Sequence, residues 1–255
     1  MVSVGGLHIP GNELRDLELK LDKLCEETGF PAGEEFKWSP SPRQWMHEGL
    51  VKDAREKFLL DALAIGADAK ARAIVVIEDT HARKVAKTSA SHEEDVTLMF
   101  LERAQAALGF DQHALVVFDR PGGGRKREDE FLARCMERIR EGSVFTEMDR
   151  LALAVATDSK LCRTLQLADV VVSCSTAYVA GETKYSRRIF ETGIRPLLRE
   201  EYGRKGGCGL KIHPDKRYGN LYHWLLGDRN FVRFQDGYPL PSRSFNQYRK
   251  SPDRA

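Results

Sequence analysis

Short apolar runs alternating with longer stretches of helical periodicity constrain this chain more than any other feature. The strand-like runs are "VSVGGLHIP" ending at Pro10, "ARAIVVIED", "HALVVFD" ending at Asp119, "LALAVATD" and the late "CGLKIHP". Between them the apolar spacing predicts helices over about 12–27, 44–65, 93–108, 128–140, 185–202 and 220–226. In the first of these, Leu14, Leu17, Leu21 and Leu24 mark the buried stripe and Gly29 closes the helix. Strands alternating with helices of ten or more residues give an α/β fold with at least a partly parallel sheet. Ligands of such sheets gather beyond the carboxyl ends of the strands, which is where Asp119 falls.

A further helix is predicted over "LQLADVVVSCSTAYVAGE", with Asp158 or Ser159 able to cap its opening. At 100° per residue, Asp169 lies about 40° from Leu165 and about 60° from Gln166. Leu167, Ala168, Val170, Val171 and Val172 close the rest of the circumference. A helix apolar all round is buried, and an unpaired carboxylate inside costs at least several kcal/mol. Asp169 therefore needs a basic partner, a proton or a metal ion.

Composition narrows the classes. The chain has 255 residues and a net charge of +2, without a composition break, so residues 1–242 read as one domain and 243–255 as a polar, frayed tail. From Lys184 to Arg217 there are ten Lys or Arg against four Asp or Glu, a bias that suits an anionic partner as well as a solvated helix face. The five cysteines fall at unrelated spacings, without CxxC pairs or a signal sequence, as expected of reduced thiols in a cytoplasmic protein. No apolar run is long enough for a membrane span. The seven histidines lack zinc spacing, and no GxSxG nucleophile motif occurs. "PGGGRKR" lacks the GK[ST] ending of a nucleotide-binding loop and reads as a mobile basic loop able to touch a phosphate backbone.

Three carboxylates stand out by context: Asp169, Asp119 and Glu35, the last in the irregular loop "EEFKW" beside Lys37 and Trp38. Each alone has a bland reading, as a salt-bridged acid, a turn former or a solvated charge. Together with their surroundings, "GGLHIP", "EEFKWS", "LVVFD", "LQLADVV" and "GLKIHP" resemble, in order and rough spacing, a bacterial family catalogued as domain of unknown function 3800. The resemblance covers about residues 2–227, and its most specific element is "LQLAD" on a helix after a strand, backed by E-x-K-W.

That resemblance implies a ribonuclease H-like mixed sheet flanked by helices, with helical insertions. It also implies a metal-dependent nuclease centre in which Glu35, Asp119 and Asp169 are catalytic and hold two Mg²⁺ or Mn²⁺ ions. Lys37 and Gln166 then support the centre or contact phosphate, and Arg120, Arg125, Lys126 and Arg127 add phosphate contacts. The family begins with a strand carrying Asp-Glu-Ser-Gly ahead of the strand matched by "VSVGGLHIP". That strand is not present in these 255 residues, and "IEDT" and "REDE" lie in the wrong elements to replace it. Its absence would leave a sheet edge open to oligomerisation and the nuclease inactive as given. The alternatives are a non-catalytic module that binds nucleic acid or a protein partner, and, on scattered acids alone, a metal-dependent transferase.

Overall fold

In the computed structural model, residues 1–80, 89–214, 218, 221–222, 225–228, 230–231 and 238–239 are described. The expected tail 243–255, and residues 220, 223 and 224 of the predicted helix 220–226, lie outside them; 221–222 and 225–226 are helical. The chain is a mixed α/β protein. Its order is β1 (Val2–His8), α1 (Gly11–Thr28), α2 (Trp45–Gly49), α3 (Asp53–Asp68), β2 (Arg72–Glu78), α4 (Ser89–Ala106), β3 (Ala114–Asp119), α5 (Arg125–Glu141) and β4 (Leu151–Thr157). Then follow α6 (Arg163–Val179), α7 (Thr183–Arg188), a π-type stretch Ile189–Ile194, α8 (Arg195–Leu197) and β5 (Leu210–His213). Two-residue strands β6 (Asn230–Phe231) and β7 (Tyr238–Pro239) pair with each other.

The strands form separate sheets. β1 pairs antiparallel with β2, which pairs in parallel with β5, while β3 and β4 make a parallel pair of their own. One core cluster lies between the first sheet and α1, α3 and α6, and includes Leu17, Leu21, Phe36, Phe58, Val171 and Phe190. A second joins both sheets to α4 and α5 through Ile74, Val76, Phe100, Leu101, Cys135 and Ala154. Each fully buried aliphatic or aromatic side chain stabilises the fold by roughly 1.5–3 kcal/mol. Gly5 permits a close approach of β1 to β2 and α6: a β-carbon there would meet the Ile74 carbonyl oxygen at 2.6 Å and Val172 at 2.8 Å.

Several boundaries differ from the periodicity reading. The helix expected over 44–65 is broken at Leu50–Lys52, where Lys52 adopts a left-handed φ of 51°. The basic loop ends earlier than expected, because Arg125, Lys126 and Arg127 open α5. The helix expected over 185–202 ends at Leu197, and Leu198 turns extended. In α1, Leu17, Leu21 and Cys25 are buried but Leu14 is 44% exposed, so the buried stripe starts one turn late. Gly29, at a φ of 81°, closes that helix as expected.

α6 is buried or half-buried at every position, as its apolar circumference requires. Its N-terminus is not capped by Asp158, whose carboxylate instead accepts the Lys160 N–H in the 3₁₀ turn Ser159–Leu161. The cap comes from α1. Glu18 accepts the backbone N–H groups of Arg163 at 2.9 Å and Thr164 at 2.8 Å, and the Thr164 hydroxyl as well. A carboxylate there meets both the orphan donors and the positive end of the helix dipole. Glu18→Ala is therefore expected to lower stability by about 1–3 kcal/mol in urea denaturation, with Glu18→Gln intermediate. A change below about 0.5 kcal/mol for Glu18→Ala would show that the cap is dispensable.

Candidate acidic site at the end of β3

The loop after α1 is fixed by Phe36, which enters the core and meets Phe58 edge-on at a centroid distance of 5.4 Å. Its neighbours Glu35 and Lys37 are thereby held at the rim. Glu35 is 5% exposed, its carboxylate 2.7 Å from the Lys37 ammonium and 3.5 Å from the Ser159 hydroxyl, which donates to it. The Lys37 amide donates to the Met46 sulfur, so the backbone of this loop is anchored on both sides of the ion pair.

Asp119 closes β3 and is exposed; its Oδ1 accepts the Ser159 N–H at 3.1 Å. Ser159 thus touches two of the three acids, through its amide and its hydroxyl. The third, Asp169, is half-buried on α6 and accepts the Ser173 hydroxyl at 3.1 Å and the Trp38 backbone N–H. Burial holds the Asp169 carboxyl above the ordinary aspartate range, and the charge of Asp119 adds to that. Ser173, the Trp38 N–H and Lys37 pull the other way. The Lys37 ammonium is held above its ordinary range chiefly by its hydrogen bond to Glu35, then by the charges of Glu35, Asp169 and Asp119. All three sequence-derived carboxylates therefore lie within electrostatic reach of one ammonium.

Gln166 binds the segments together. Buried to 1% exposure, its Oε1 accepts the Phe36 N–H at 3.2 Å and the Arg163 guanidinium at 2.9 Å, while its Nε2 donates to the Ser159 carbonyl at 2.7 Å. It cannot contact a phosphate from there; it positions the backbone that carries the acids. Arg163 adds bonds to the Glu34 carbonyl and the Asp22 carboxylate, both at 2.8 Å.

The expected phosphate contacts are exposed but internally compensated. Arg120 meets Glu128 at 2.9 Å, Arg127 meets Glu93 at 3.5 Å, and Arg125 and Lys126 lie 3.9 Å from Asp129 and Glu130. Further along, Arg188 and Arg199 pair with Glu56 and Glu201. Pairs as exposed as those of Arg125, Lys126 and Arg127 contribute about 0–1 kcal/mol, so these cationic groups exchange partners cheaply, whereas the Arg199 side chain is only 13% exposed.

The donor chemistry, all carboxylate oxygen, is that of a hard-cation site. The arrangement does not fit one as it stands. Glu35 is engaged by Lys37, and among the described residues no three or more His, Cys, Asp or Glu are grouped to hold a metal ion. The need for a partner at Asp169 is met here by Lys37, Ser173 and the Trp38 amide. Ser159 and Glu18 were not singled out as site-building residues by spacing. The local signals for Ser159 are its place two residues after β4 in "TDSK" and the capping role open to it there.

No protein-family model, curated protein or solved structure matches the chain. All five cysteines are free, and no helix among the described residues is long and apolar enough to cross a membrane.

Two outcomes are expected at this site. Because the folded-state pKa of Asp169 is raised, the folded chain holds a proton that the unfolded chain releases just above the ordinary aspartate value. Its contribution therefore falls as pH rises through that window, and the penalty is fully present above it. Asp169→Asn should leave the thermal midpoint at pH 7 unchanged or higher, with the gap closing toward about pH 4. A drop at pH 7 would mean that the Lys37 attraction outweighs burial. Gln166→Leu, similar in size but without the amide, should cost about 2–4 kcal/mol in denaturant, since it strands the Phe36 amide, the Ser159 carbonyl and part of Arg163. A loss under about 1 kcal/mol would rule Gln166 out as the organising group.

Proposed function

We propose that this chain is a ribonuclease H-like domain directed at phosphodiester backbones, and that with Lys37 paired to Glu35 it holds nucleic acid without cutting it. One observation carries the reading: Lys37 pairs with Glu35 at 2.7 Å and feels the charges of Asp169 and Asp119, the latter at the end of the parallel pair β3–β4. α/β sheets place their ligands at such strand ends. An antiparallel β1–β2 pair, the parallel β3–β4 pair and helices on both faces are compatible with the fold implied by the resemblance to the domain of unknown function 3800 family. The basic groups beside Asp119 are exposed enough to leave their weak partners for phosphates, as sequence-independent backbone contacts do.

A second reading, a metal-dependent nuclease, is favoured by the all-oxygen character of the convergent donors. Glu35, Asp119 and Asp169 are the residues that would hold Mg²⁺ or Mn²⁺, and Lys37 would first have to leave Glu35. No hydrolytic step is derived on that arrangement. Cytoplasmic residence and a homo-oligomeric state belong to the same proposal.

The test is fluorescence anisotropy with labelled single-stranded RNA, duplex DNA and an RNA–DNA hybrid over a salt series. At least one should bind, with affinity falling steeply with salt. Replacing Arg120, Arg125, Lys126 and Arg127 together by Gln should reduce the salt slope by about 2–4. Salt-independent or absent binding to all three would overturn the reading. Mn²⁺-dependent cleavage by the 255-residue chain, abolished by Asp119→Asn, would favour the nuclease instead.

A further inference from the structure

Parallel strands are ordinarily covered on both faces, because the side chains on either side are apolar. The pair β3–β4 is covered on one. There Val116, Phe118 and Ala154 enter the second core cluster, and the Phe118 ring meets Phe131 edge-on at a centroid distance of 5.0 Å. On the other face Leu115 is 54% and Val117 39% exposed, and their register partners Leu153 and Val155 are 39% and 37% exposed. Strands in register lie about 4.8 Å apart, so these four side chains form one contiguous aliphatic patch. Contiguous exposed apolar surface marks a contact.

The outward side of β3 also has a direction. By the period of two, His113, Leu115, Val117 and Asp119 fall on the same side, and all four are exposed. The order is imidazole, two aliphatics, carboxylate. Turned end for end and laid on itself, that order sets histidine against aspartate and leucine against valine. Laid the same way round, it sets carboxylate against carboxylate, and like charges directly opposite destabilise a pairing.

We infer that this face is a homodimer interface, occupied by the same face of a second copy of the chain. The two-fold axis lies between the two sheets and across the strands, so the strands of the two copies run antiparallel. Leu115 of one copy then faces Val117 of the other, Leu153 faces Val155, and His113 and Asp119 close the rim at both ends. Sheets stack in this way about 10 Å apart with their strands aligned within about 30°, and such an isologous contact closes after two copies. Any apolar partner satisfies the four aliphatics; a reversed copy also satisfies the polar groups at both ends. The apolar centre is small against the roughly 800 Å² per partner of a standard interface, so the dimer is concentration-dependent, dissociating in the micromolar range. This inference gives the homo-oligomeric state a surface and does not rest on the nucleic-acid reading.

The test is sedimentation equilibrium of the 255-residue chain from submicromolar to submillimolar concentration, with amide hydrogen exchange across the same range. A monomer–dimer equilibrium is expected, with exchange at residues 114–119 and 151–157 slowing as the dimer forms. Leu115→Lys and Val117→Glu each bury unpaired charge in the dimer and should weaken it by about tenfold or more, with the thermal midpoint of the monomer little changed. An equimolar mixture of the two variants should dimerise again, because the introduced ammonium faces the introduced carboxylate in the antiparallel arrangement and not in the parallel one. A monomer at every concentration overturns the inference, whether the face is then found covered by the chain's own residues or left to a different protein. So does a dimer that either variant leaves intact, or a mixture of the two that fails to associate. Should a variant not fold, the unsubstituted chain decides: dimer-linked protection that misses both strands overturns the interface.

Discussion

The candidate site depends on one buried amide. Gln166 sits on the helix that carries Asp169, bonds the backbone between Glu35 and Lys37, and bonds the turn whose Ser159 N–H reaches Asp119. A side-chain amide suits this task because it offers acceptor and donor at a fixed separation, so it can tie a segment that needs each. Its partners are all backbone groups or Arg163, which ties the arrangement to chain path more than to the identity of surrounding side chains. Full burial makes these bonds mandatory, since each group left open would cost its desolvation.

Charge balance is the second constraint. Three carboxylates facing one another would repel and raise one another's pKa. A lysine two residues from Glu35 supplies the cation, pairing with Glu35 at 2.7 Å and feeling the charges of Asp169 and Asp119. The centre can thus be preorganised without a ligand. The same lysine would have to leave Glu35 before a divalent ion could be admitted.

Much of the fold was legible in the sequence because apolar periodicity is a local signal. β1, α1, β2, β3, β4, α6 and β5 follow it within a few residues. Glu35, Asp119 and Asp169 were legible through misfit: an acid on an all-apolar helix, at a strand end, or in an aperiodic loop. What periodicity misses is decided by distant partners. The break at Lys52, the extended turn at Leu198 after α8, and the choice of Glu18 over Asp158 as the cap of α6 leave no local mark. Lys37 is visible beside Glu35, but its reach to Asp169 and Asp119 belongs to tertiary packing.

The distant cap carries a consequence for synthesis. Glu18 precedes Arg163 by 145 residues, and at ribosomal speeds of roughly 5–20 residues per second that gap corresponds to about 7–30 s. Through that interval α1 lacks the helix it anchors, and the cluster that buries Leu17, Leu21 and Cys25 lacks its α6 side. α6, when it emerges, finds its starting contact already made. The nascent chain is therefore most exposed to chaperones and proteases before Arg163 appears, and the arrival of one short segment closes the helix end and the acidic centre together.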